Sequence, residues 1–271
     1  VGRVSMDLIV ADVTDLPLRI EGLYTHLACS DDPAVPFTRI QLERFAEARA
    51  ALTLSHLPRP LIHVASSAGL LTRAERDVDL VRPGLALYGL NPFGNLPAPE
   101  LTAAMTVSTR LNRVERFPAG TAVGYGSTYI TLRDATLATL PIGYDDGLSR
   151  ALSDDWEIVV RDRLVPLVGR VSMDLIVADV TDLPDVKVGD EAILMGGGPG
   201  CPAHSAESMA SRLKTIPYEI TSSFGGRLPR VFSAADEVVA IQSRFGSLGL
   251  GFDDVTTSSE TPATTDNTVS N

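Results

Sequence analysis

Seventeen residues of this chain occur twice. Val1 to Pro17 reads VGRVSMDLIVADVTDLP, and so does Val168 to Pro184. The second copy reads as part of a β domain, where neighbouring strands supply its hydrogen-bond partners. The first has no such guaranteed neighbour, so it either competes for the same strand position or adds weakly to another edge. An old domain duplication would have drifted, and would repeat a folding unit of about 20 residues or more. This repeat is perfect, and it stops abruptly at Leu18 against Asp185. It reads as a splice that pasted a piece of the C-terminal half at the front, with the parent's residues before Leu18 lost. The opening Val in place of Met agrees with that reading.

From Leu18 to about Pro97 short apolar runs alternate with helical stretches. Gly22 to Ala28 reads as a buried strand. Phe37 to Leu54, with Ile40, Phe45 and Leu52 near helical spacing, reads as a helix. Pro60 to Ala65 is a strand, Ser66 to Arg76 a helix opened by a serine cap, and Pro83 to Leu90 a further strand. Alternating strands and helices imply parallel βα units, but three or four are too few to close an eight-stranded barrel. The open side is expected to expose apolar surface. From about Glu100 the texture becomes β-like. Met105 to Leu111, Ala135 to Ile142, Glu157 to Val160, Leu175 to Val180 and Ala192 to Met195 read as strands separated by Gly-rich turns. A short helix (Ser205 to Leu213) and the segment Tyr218 to Arg230 close this domain. The pattern fades after Ser233. Asp253 to Asn271 is rich in Thr and acids, with no basic or aromatic residue, and is expected to be disordered. The expected fold class is α/β plus β: a partial (β/α)8 barrel half over 18–97, a mainly β domain over 98–233, and a tail from 234, with 1–17 as a duplicated β-domain segment.

A length of 271 residues allows one large or two medium domains. The net charge of −11 argues against a nucleic-acid partner. No apolar run reaches membrane-span length and no signal peptide is visible. Two cysteines, Cys29 and Cys201, make no disulfide framework, which points to a reducing cytoplasm. Of 23 basic residues only Lys187 and Lys214 are lysines. Chemistry that needs a lysine has only those two candidates.

Several residues invite a chemical reading, each beside a plainer one. Tyr125 lies between Gly124 and Gly126, which would let a ligand or backbone approach, yet a tyrosine packed at a strand end would look the same. Tyr144 and Tyr218 share that ambiguity. Ser67 sits at the start of a helix, where a hydroxyl and backbone N–H groups can hold phosphate or simply cap. Arg82 opens a strand, where a surface ion pair is the ordinary role. Gly196 to Gly200 lacks the Lys-Ser/Thr of a P-loop. Cys201 and His204 alone make no zinc site, so no metal is expected. His26 and His63 each lie in an apolar strand, where a buried structural imidazole is the default.

Taken together, THLACSDDP, HVASSAG, DLVRPGLALYGLNP, AMTVSTRL, VGYGSTY, LPIGYDDGLSR, VGRVSMD and PYEITSSFGGRLPRVF occur in the order found in alanine racemases, and the chain resembles that family from about Leu18 to Phe232. The resemblance implies an N-terminal barrel holding pyridoxal 5'-phosphate, a C-terminal β domain, and a cytoplasmic head-to-tail homodimer with shared active sites. It implies racemisation of alanine for cell-wall peptidoglycan. By position, Tyr125 matches the tyrosine that moves the α-proton, and His26 a histidine partnering it. Arg82 matches the arginine facing the pyridine nitrogen. Ser67, Gly84, Leu85 and Tyr218 match phosphate-side contacts. Met173 matches the residue whose backbone N–H meets the substrate carboxylate, and Tyr144, Asp31, Arg150 and Arg170 match the channel. The family's other base is the lysine that anchors the cofactor, and neither Lys187 nor Lys214 matches it. The resemblance therefore implies a chain impaired as a catalyst by itself. Its rivals are a non-catalytic subunit that docks on an intact racemase, and a racemase for another small amino acid such as serine.

Overall fold

A computed structural model describes residues 21–53, 59–72, 77–94, 96–97, 101–198, 200–234 and 237–249. The expectations for residues 1–17 and for 253–271 lie outside the described residues. The chain divides into two compact units, Val1–Ser223 and Phe224–Asn271.

The first unit opens with a parallel pair. Strand β1 (Gly22–Tyr24) pairs with β2 (Leu61–His63), placing Tyr24 beside His63. Helix α1 (Phe37–Thr53) makes the crossover. Its Phe45 is buried with Leu27, Ile62 and Val64, and its Leu42 packs on that cluster. Burial of this apolar stripe, rather than helix propensity alone, holds α1 in place.

Helix α2 (Ser67–Leu71) is shorter than the expected Ser66 to Arg76. Thr72 closes it, the hydroxyl donating to the Ala68 carbonyl. Gly69 lets it lie close: a Cβ there would already be 3.4 Å from Ala65 Cβ and Leu27 Cδ1. A third parallel position is reached only as an isolated bridge, His63 to Leu80. Pro83 to Leu90 is not the expected strand. Leu85–Tyr88 is a 3₁₀ turn ended by Gly89 in the left-handed region, φ 69°. The cause is tertiary: the Gly84 and Ala86 amides both bond to Ser67 Oγ, curling the backbone over α2. Among the described residues the parallel part is open, with no closed barrel. Tyr24, Leu61 and Leu87 are exposed on it, at 62%, 50% and 70%.

An antiparallel region follows. Its strands are β3 (Val107–Arg110), β4 (Arg113–Phe117), β5 (Ala122–Val123), β6 (Tyr129–Ile130), β7 (Ala135–Leu140), β8 (Glu157–Val160), β9 (Arg163–Pro166), β10 (Ile176–Asp179) and β11 (Glu191–Met195). They form sheets in the orders β3-β11-β8-β9 and β10-β7-β4, with β5-β6 as a ribbon. A bridge from Leu167 to Ala178 links the continuation of β9 to β10. Leu140, Ile158, Leu194 and Met195 fill the interior with Met209 of helix α3 (Ala206–Leu213). Ser205 caps α3, its Oγ accepting from Ser208 N. Lys214 ends it in the left-handed region, and helix α4 (Pro217–Ser223) follows.

The β8–β9 turn makes a first prediction. Arg161 and Asp162 both have positive φ, 51° and 63°, between the paired Val160 and Arg163. Two-residue hairpins favour this geometry, and glycine adopts it without the Cβ penalty. Asp162→Gly is expected to raise stability by about 0.5–1 kcal/mol, read as an upward shift of the thermal midpoint.

In the second unit, β12 (Arg230–Ala234), β13 (Glu237–Ser243) and β14 (Gly246–Gly249) form an antiparallel meander. The tail expected from 234 instead carries strands over 237–243 and 246–249. Val238, Val239 and Ile241 supply β-branched residues there, and Gly246 takes φ 133° at the turn.

Candidate functional site

Two neighbouring strand ends and an isolated bridge converge. Tyr24 closes β1 and Thr25 and His26 follow it; His63 closes β2; Arg82 lies two residues beyond the Leu80 bridge. In parallel α/β sheets the carboxyl ends of strands are where ligands bind.

Arg82 organises this end. Its backbone N–H donates to the Ala65 carbonyl at 2.8 Å. One guanidinium nitrogen contacts His63 Nδ1 at 2.6 Å. The other donates to the Thr25 carbonyl at 2.9 Å and the Val64 carbonyl at 3.1 Å, with His26 Nδ1 at 3.4 Å. A guanidinium only donates, so His63 Nδ1 is the acceptor and its ring N–H is on Nε2. Tyr24 stacks on His63, 5.1 Å between ring centres, and the Arg82 guanidinium lies 5.3 Å from the Tyr24 ring. Half-buried His63 and exposed His26 thus stand at strand ends, which corrects the expectation of two buried structural imidazoles.

Ser67 does not cap α2 with its side chain. Ser66 occupies the cap position, without a side-chain bond. Ser67 is buried and accepts from the Gly84 and Ala86 amides, each at 3.0 Å. Accepting twice leaves its own O–H hydrogen to donate. Gly84 borders open space, with nothing within 4 Å of where a Cβ would stand, while Leu85 is buried. Ser67→Ala is expected to cost about 1–3 kcal/mol by stranding those amides. Hydrogen exchange should accelerate at Gly84 and Ala86 ahead of the rest of the parallel part. Tyr218 lies on α4, and its phenol pKa is raised by burial and then by the charge of Asp31.

A second group gathers on the loop 169–173. Tyr125 is 73% exposed, between Gly124 at φ 71° and Gly126 at φ 73°. Cβ atoms at these glycines would stand 3.1 Å from Arg170 N and 3.3 Å from its guanidinium, so glycine lets the tyrosine turn lie on Arg170. Tyr144 N donates to the Ser172 carbonyl and Asp145 N to the Met173 carbonyl, at 3.0 and 3.1 Å. Ser153 Oγ donates to the Arg150 carbonyl and accepts from Val171 N. Asp154 Oδ1 accepts from Gly169 N. One loop therefore fixes Tyr125, Tyr144, Arg150, Arg170 and Met173 relative to one another.

Among the described residues, no hydrogen bond or ring contact joins Tyr125 or Met173 to Arg82. Tyr24, Thr25, Ser153 and Asp154 join these groups without standing out as site residues in the sequence. Thr25 acts through its carbonyl, which carries no residue-type signal, whereas the aromatic residues closing two adjacent strands could have flagged Tyr24 with His63. Both lysines are exposed in the antiparallel region, Lys187 in the turn before β11 and Lys214 at the end of α3. No group of three or more His, Cys, Asp or Glu that could hold a metal ion exists among the described residues. No helix among them is long and apolar enough to cross a membrane.

An open parallel α/β part with a guanidinium at its strand ends, followed within the same compact unit by an antiparallel β part bearing an exposed tyrosine, defines a partial barrel with a β region. Residues 5–92 match the alanine racemase N-terminal domain, and residues 104–232 the alanine racemase C-terminal domain. The chain belongs to the alanine racemase family, a family of isomerases. It is 41% identical over 223 residues to the alanine racemase of Desulfosudis oleivorans, covering 81% of this chain and 57% of that protein. With that of Thermobifida fusca the identity is 42% over 219 residues, covering 80% and 58%. The chain thus spans less than two thirds of these relatives' length. The alanine racemase of Bacillus anthracis with bound L-Ala-P superposes with a TM-score of 0.77 at 30% identity, covering 86% of this chain and 60% of that one. That of Bartonella henselae with covalently bound pyridoxal phosphate gives 0.63 at 35%, covering 76% and 55%.

Proposed function

We propose that the chain serves pyridoxal-phosphate-dependent interconversion of L- and D-alanine, supplying D-alanine for peptidoglycan in the cytoplasm as part of a head-to-tail dimer with shared active sites, and that it is impaired as a catalyst by itself because neither Lys187 nor Lys214 matches the family's cofactor lysine. The observation that carries this reading is the Arg82 network. Its bonded nitrogens satisfy protein acceptors, while Nε–H has no protein partner among the described residues. A permanently charged donor left over at a strand end fits a pyridine nitrogen, which it holds unprotonated. The Ser67 O–H and the open space at Gly84 fit the phosphate side. Bound there, pyridoxal phosphate supplies the electron sink for breaking the substrate Cα–H bond.

The protein's residues supply the rest. In a site shared with an intact subunit, Tyr125 Oη moves the proton on one face of Cα and that subunit's cofactor lysine would serve the other face, while His26 stands across the subunit boundary from the tyrosine it partners. The Met173 N–H holds the substrate carboxylate. Asp31, Tyr144, Arg150 and Arg170 shape the channel, and Tyr218 joins the phosphate side. The exposure of Tyr125, with no bond to Arg82 of its own chain, supports a shared site in which one subunit's tyrosine serves the other's arginine. Neither lysine belongs to the Arg82 group, so this chain holds the cofactor without a covalent bond, and borohydride should fix none to it.

The test is complementation. A full-length alanine racemase whose tyrosine at the position of Tyr125 is changed to phenylalanine is mixed with this chain, and racemisation of L-alanine is measured beside L-serine. Activity should return for alanine and be absent with the Tyr125→Phe form. A mixture that stays inactive overturns the shared-site reading, and restored activity on serine alone overturns the substrate.

A further inference from the structure

The structure shows what the repeated seventeen residues need, because it shows the seat of their second copy. Strand β10 pairs with β7 in the register Ile176 to Leu140 and Ala178 to Ala138. Val180 N donates to the Thr136 carbonyl, and Thr181 Oγ1 accepts from Thr136 N. On the other side the segment folds back on itself, Val168 N donating to the Val177 carbonyl, and Leu167, the residue before it, bridges to Ala178. Ile176, Ala178 and Val180 are at most 2% exposed. Residues 1–17 carry the same side chains in the same order, with Ile9, Ala11 and Val13 matching these three. Anything that recognises the one segment recognises the other.

We infer that residues 1–17 are a second ligand for the seat of β10 and fill it when residues 168–184 are displaced. The contacts available to the two copies are equal, so the tether decides between them. Residues 168–184 are tied at both ends, between β9 and β11, and the loop holding Ser153 and Asp154 grips Val171 and Gly169. Short closures cost less entropy than recruiting a distant segment, so this copy holds the seat at rest. Once it is weakened the order reverses, and residues 1–17 enter from the same chain or from a second copy, a form of strand exchange. This does not depend on the proposed activity.

The test uses matched substitutions in the full chain, with Trp156 as reporter. It is the only tryptophan, 7% exposed, its indole N–H donating to the Leu194 carbonyl. Ala178→Asp places a carboxylate in a fully buried strand position, and Ala11→Asp does the same to the first copy. Ala11→Asp alone should melt with the unaltered chain. Ala178→Asp should melt at least about 5 °C above the double variant Ala11→Asp/Ala178→Asp. A single variant that melts no higher than the double overturns the inference, including the case in which neither shows a cooperative transition. A melting point that rises with protein concentration assigns the entering segment to a second copy. One independent of concentration assigns it to the same chain, and either result supports the exchange.

Discussion

Gly143→Ala is expected to lower stability by about 2–4 kcal/mol and to separate Tyr144 from Met173. The cause is not backbone strain, since Gly143 has φ −153°, which any residue adopts. It is space. A Cβ there would stand 2.2 Å from the Met173 carbonyl oxygen and 2.4 Å from that of Ser172. These two carbonyls accept from Asp145 N and Tyr144 N. The methyl group therefore enters the junction that fixes the tyrosine turn to the loop 169–173. Neither side is a flexible chain end, so the backbone must give. Trp156 fluorescence melts read the loss, and faster exchange at the Tyr144 and Asp145 amides locates it. Gly226→Ala, where nothing lies within 4 Å, is the control. A loss under about 1 kcal/mol would show that the junction yields freely, contrary to this packing argument.

Arg82→Ala should remove pyridoxal phosphate binding altogether and cost about 2–4 kcal/mol. The residue bonds to carbonyls of Thr25 and Val64 and to His63 Nδ1. Removing it leaves three acceptors without their charged donor, in a half-buried place that water reaches only in part. The Tyr24–His63 stack also loses the cation beside it. His26→Ala should do far less, because His26 is exposed and touches Arg82 only at 3.4 Å. Absorbance titration of the chain with pyridoxal phosphate separates the effects: His26→Ala should keep saturable binding that Arg82→Ala lacks. Equal binding by both variants would remove Arg82 from the cofactor side.

Much of this was legible in the sequence. The parallel βα texture, the change to antiparallel strands beyond residue 100 and helices α1 and α3 follow from local periodicity and caps, which act within a few residues. Pro83 to Leu90 was not, because the 3₁₀ turn there is set by Ser67, 17 and 19 positions from the amides it binds. Strands β13 and β14 were masked by the polar composition that follows them. The His63 assignment failed for a similar reason. An apolar strand predicts a buried ring, but the last residue of a strand looks out of the sheet's end.

The sequence by itself determined most of the elements, the shortage of lysine and the motifs that place the chain among alanine racemases. Only the tertiary structure decided which partners those residues have. Arg82 meets a carbonyl 57 positions away, a contact that depends on how β1 and β2 are registered. The repeat makes the division plainest. Seventeen identical residues have identical propensities, so nothing local distinguishes the copies. The described seat beside β7 belongs to the copy tied at both ends, because chain connectivity, rather than composition, sets the entropy of reaching it.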